Sequence, residues 1–148
     1  VKPDPAKVVE TVSMMLIVEF VPQLSTSYAQ QALSGAATIL AVAREEMDRA
    51  AARRIAENAA LRRLFAAARP VVTDSDLAAR LDEAAAGEEA SFLVSDLDQS
   101  NQALRGLLLR LHAHVEELPG EAARRIEAAI WDELRVSTER RRTMLGNF

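Results

Sequence analysis

The side chains able to do chemistry in this chain are few and scattered. They are Glu19, Tyr28, Asn101, His112, Trp131 and Arg135, with His114 and Glu116 beside the first histidine. His112 and Glu116 are four apart and share a helix face, whereas His112 and His114, two apart, point in different directions. The two histidines therefore cannot hold one ion on an unbroken helix. A carboxylate-bridged di-iron bundle needs Glu-x-x-His on two helices, yet Leu109 and Leu111 stand three before the histidines. One His and one Glu without a third ligand form the pattern of a surface hydrogen bond. No metal site and no cofactor are expected.

Nucleophilic catalysis finds no better footing. The chain has no Cys, which excludes thiolate nucleophiles, thiolate-bound metals and disulfides. It also lacks a Gly-x-Ser-x-Gly elbow, a glycine-rich phosphate loop and a dinucleotide-binding fingerprint. Glu19, in a nearly apolar stretch, is the acid with the best chance of apolar surroundings, which is how a general acid is made. Pro22 close behind it argues instead for a helix end near solvent. Catalytic residues are not assignable, because convergence of the six side chains depends on how the helices are ordered.

The elements that would position them are helical. Ala and Leu abound, β-branched residues thin out after the first quarter, and Gly and Pro are confined to a few places. The organising stretch is Phe92–Leu118. Val94, Asn101, Leu108 and Val115 alternate with Leu97, Leu104, Leu111 and Leu118 at spacings of three and four, which is a seam down one side of a helix. A parallel pair could use Asn101 to fix its register. Leu107 and Leu109 broaden the apolar surface toward that of a bundle-core helix, in which Asn101 must find a neighbour or water.

The pattern predicts one helical domain over 1–148, with an apolar first helix over 6–21 and a very long or kinked helix over 27–68. A short helix over 76–86, a central helix over 91–118 capped by Ser91 and a last helix over 121–143 complete it. The fold class is all-α, an up-down bundle in which the short helix acts as lid or connector. Pro22–Ser27 breaks the first two helices, and one of Thr73, Asp74 and Ser75 caps the short one. Pro119-Gly120 turns the last two into antiparallel neighbours. The inner face of the long helix descends through Tyr28, Ala32, Ala36, Leu40, Ala43, Met47, Ala51, Ile55, Leu61 and Phe65, with bends or close packing at Gly35 and Asn58. That of the last helix is Ala123, Ile126, Ile130, Leu134 and Ser137. Met144, Leu145 and Phe148 would dock the tail.

Partners follow from charge and grease. A formal charge of −4 gives no general attraction to nucleic acid. The arginines of the long helix alternate with Glu45, Glu46, Asp48 and Glu57, as in surface pairing of the Glu45–Arg49 kind, so nucleic acid is not expected. No apolar run reaches spanning length and no signal peptide is visible, which makes the cytoplasm the expected location. Only Lys2 and Lys7 flank the first helix, too few for a lipid-surface module. That helix is apolar nearly all round and cannot lie bare on a monomer. The reading is a self-associating interaction or structural module, a dimer in the first instance. The rival is a bundle holding a small apolar ligand or cofactor near Met14, Met15 and Met47, recognisable by a void lined by two or more of the six polar residues.

Overall fold

Prolines, glycines and capping side chains set the helix boundaries. The computed structural model describes residues 3–143, which places Val1, Lys2, Met144, Leu145 and Phe148, and the expected docking of the tail, outside the described residues. Five α-helices follow in order: α1 (Pro5–Met15), α2 (Ser27–Ala68), α3 (Ser75–Ala86), α4 (Val94–Glu116) and α5 (Glu121–Arg140). The all-α bundle with one long helix is as the sequence predicts. No helix among the described residues is long and apolar enough to cross a membrane. Contacts divide the chain into two units, one over 3–50 with 142–143 and one over Ala51–Arg141.

In the first unit, Asp4 accepts from Ala6 N at 3.0 Å and caps α1, with Pro5 in its first turn. The helix expected over 6–21 is α-helical as far as Met15 and changes type beyond it. Leu16–Phe20 widens into a π turn closed by Val21 N–H on Leu16 O, and Val21–Gln23 tightens into a 3-10 turn. Pro22 is the cause: it has no N–H, and its ring crowds the preceding helical turn. Thr26 then receives Ala29 N at 3.3 Å as α2 begins.

Where α1 meets α2, the contact is made by small groups. Ser13 Oγ donates to Ala37 O at 2.8 Å, and Glu10 lies 3.8 Å from Arg44. Ser13, Ala37 and Ala50 are the buried residues here. The first helix does not run through the centre of its own unit: Val8, Val12, Met14, Met15, Ile17, Val18 and Phe20 are exposed. So are Tyr28, Ala32, Ala36, Ala43 and Met47 of the expected inner face of α2. Helices meeting through Ser and Ala come too close to admit larger side chains between them, so those lie outside.

The second unit has the conventional core. Leu61, Phe65 and Ala68 of α2 pack with Leu77, Ala78 and Leu81 of α3, with the α4 seam and with Ala123 and Ile130 of α5. Each fully buried Leu, Ile or Phe stabilises by about 1.5–3 kcal/mol. The α4 seam faces this core rather than a second chain: Leu97, Asn101, Leu104, Leu108, Leu111 and Val115 are buried, while Leu109 is exposed. The short connector helix also takes part in the core, because Asp74 caps it through Leu77 N at 2.8 Å and turns three apolar residues inward. α4 begins at Val94 and not at residue 91. Ser91 Oγ accepts from Leu93 N at 3.2 Å, one turn too early to cap the helix itself. Gly120, with φ of 103°, supplies the turn that lays α5 against α4.

Candidate metal centre

The α4–α5 pair brings together three ligand-type side chains. His112 and Glu116, one turn apart on α4, approach to 3.4 Å between Nε2 and Oε1. Glu127 of α5 joins them, so that one ligand atom from each of the three lies within 4.8 Å of the others. His112 Nε2 is buried and makes no hydrogen bond, since its approach to Glu116 lacks the alignment for one. The His112 side chain is 16% exposed against 55% for Glu116, and Glu127 is half-buried, so the cluster sits at the rim of the core with one side toward water. No Lys or Arg among the described residues forms an ion pair with Glu116 or Glu127.

Glu127 is the residue that the sequence reading missed, although the signal was present. His112 stands seven residues before Pro119 and Glu127 seven residues after Gly120. Two antiparallel helices joined by that turn place equidistant residues level with one another. Trp131, one turn beyond Glu127, sets its ring edge-on to His112, with centroids 5.2 Å apart and planes at 87°. This edge-to-face contact favours one orientation of the imidazole plane.

Two carboxylates so close repel one another unless a cation lies between them. Ligand atoms of a tetrahedral zinc, at about 2.0–2.1 Å from the ion, stand about 3.3 Å apart. The His112–Glu116 separation already has that length. Glu127, with its ligand atom within 4.8 Å of the other two, would supply the third corner on drawing inward. One imidazole and two carboxylates suit zinc, manganese or ferrous iron better than a thiophilic ion. An ion held by these three residues would keep a fourth position for water, which a metal ion can acidify.

The other candidates lie apart from this cluster. His114 points away, as expected, and its Nε2 accepts from Thr73 N at 3.2 Å. Asn101 is buried and donates to Asn58 Oδ1 at 2.9 Å, while Asn58 Nδ2 donates to Glu89 at 3.0 Å. Glu57, read from the sequence as a surface acid, is 2% exposed and held by Arg105 and by both oxygens of its carboxylate on Arg141, at 2.7 and 2.9 Å. Burial pushes the Glu57 carboxyl up, but the bonds and charge of Arg141, with Asn101 and Arg105, outweigh burial and hold it below the ordinary value. Asn58, read as a point of bending or close packing, is wholly buried in the same network. This network is closed and joins α2, α4 and α5.

The six diffuse candidates do not converge. Glu19 is exposed rather than embedded, Tyr28 is exposed, and Arg135 pairs with Asp132 at 2.7 Å on the surface. Only His112 and Trp131 meet. Met14, Met15 and Met47 lie at the surface. A groove of about 550 Å³ between α3 and α4, rimmed by Arg80 and Arg110, contains none of the six. Both of its arginines are already bonded to Asp76, whose carboxyl they hold below the usual range. Comparison with protein-family models, with curated proteins and with solved structures finds no match for this chain.

Proposed function

We propose that the chain is a metal-binding helical bundle, with one divalent transition-metal ion held by His112, Glu116 and Glu127. The observation that carries this reading is the buried, unbonded Nε2 of His112 beside two carboxylates that take no basic partner among the described residues. An imidazole nitrogen withdrawn from water and left without a hydrogen bond is costly. Coordination removes that cost and the repulsion between the carboxylates at once. The bound ion staples α4 to α5 and keeps one water-facing position, open to a small oxygen ligand. This favours the ligand-binding reading of the bundle over a purely structural module. Self-association rests on other residues, in the first unit, and is independent of the ion.

Calorimetric titration of the full chain with Zn²⁺ and Mn²⁺ tests it. One ion per chain is expected, with affinity lost in His112→Ala and Glu127→Ala, and Mg²⁺ binding poorly because it dehydrates reluctantly and disfavours imidazole. Equal binding by wild type and the two variants, or no saturable binding, overturns the proposal.

A further inference from the structure

We infer that the first half of α2 is the seam along which a second copy of this chain packs. Between Glu19 and Arg44 there is no charged residue. α2 nevertheless presents Tyr28, Ala32, Gly35, Ile39 and Ala43 outward from this stretch, at spacings of four, three, four and four. That is the period of a helix–helix seam, and it is exposed: Tyr28 is 81% and Ile39 70% bare. A helix facing water all along one side carries charge there. The cores of protein interfaces are where charge is depleted.

The occupant is fixed by what the face can accept. A charged partner surface would be stripped of water against a face with no counter-charge, which is unfavourable. A lipid surface selects Lys and Arg on the polar flank of an amphipathic helix, and none stands between Lys7 and Arg44. A second copy brings the same uncharged face, and two-fold pairing lets one patch serve both sides. Ala32, Gly35 and Ala36 mark the crossing point. A Cβ added to Gly35 would meet nothing within 4 Å, so this position looks into open space that another helix can enter. α1 adds Val8, Val12 and Met15, an exposed stripe at i, i+4 and i+7. A stable pair needs roughly 20 residues per side, about 800 Å² per partner, more than the α2 seam alone supplies, so the α1 stripe would have to share in the contact.

Equilibrium sedimentation of the full chain across micromolar dilution tests the seam. Wild type is expected at twice the chain mass. Ile39→Glu and Ala36→Glu, both at exposed positions, are expected at the single-chain mass with undiminished helical circular dichroism, while Leu109→Glu in the second unit remains paired. Because the chain has no cysteine, Ala36→Cys provides an independent reading: mild oxidation should give a covalent dimer, and Leu109→Cys should not. A single-chain mass for wild type overturns the inference, as does a pair that survives both glutamates. Flotation of wild type with neutral or anionic vesicles, abolished by the same glutamates, would assign the face to lipid and overturn it too.

Discussion

The ring of His112 stands edge-on to Trp131, at 5.2 Å between centroids. Trp131 is the only tryptophan of the chain, so its emission reports on the surroundings of this one position, the imidazole among them.

Titration with an open-shell ion such as Co²⁺ or Ni²⁺ is therefore expected to quench the fluorescence of Trp131 saturably. Zn²⁺ should compete the quenching away. His112→Ala and Glu127→Ala should each raise the quencher concentration needed by more than about 10-fold, the scale on which weaker, outer contacts of metal sites already act. Quenching that is linear and identical in the variants would be collisional and would leave the cluster without an ion.

Asn101 and Asn58 hold α4 to α2 through one amide–amide bond of 2.9 Å. Asn101→Leu removes it and strands the Asn58 carbonyl in a site where that residue has no exposed surface. Urea unfolding should show a loss of about 1–3 kcal/mol, with no change in solution mass. A change of mass would return Asn101 to the register-setting role open to it in the sequence.

Glu57 predicts a pH dependence with a definite sign. Its carboxyl is held below the ordinary glutamate value in the folded chain, so the unfolded chain takes up the proton first as acid is added. The stabilisation by Glu57 is complete above that unfolded value and is lost as pH falls through the lower folded one. Glu57→Gln should cost about 2 kcal/mol at neutral pH and flatten stability–pH curves below pH 4.5. Parallel curves for variant and wild type in that window would contradict the assignment.

Leu81 separates the two views of α3. It is fully buried, and Leu81→Ala should cost about 2–5 kcal/mol by cavity formation. Leu109→Ala, at a bare position on α4, should stay within about 0.5 kcal/mol. Chemical denaturation measures both. Equal, small effects would make α3 the loose connector that its length suggests.

Periodicity and punctuation alone determined the helical class, the extent of α2 over Ser27–Ala68, the existence of the α4 seam and the inner face of α5, while the packing decided that the seam faces its own core. The first four are local properties: a 3.6-residue repeat and a proline or glycine act within a turn or two of where they stand. Even the level pairing of His112 and Glu127 was written in their equal distances from the Pro119–Gly120 turn. What only the tertiary structure decided is which of several apolar faces is covered. Tyr28, Ala32 and Ala43 carry the same signature as Leu61 and Phe65, yet the first three are exposed and the last two buried. Glu57 likewise resembles its neighbours Glu45 and Glu46, and is buried because Arg105 and Arg141 arrive from helices far along the chain. A side chain's spacing states which way it points along its own helix; burial is settled by what another helix brings to meet it.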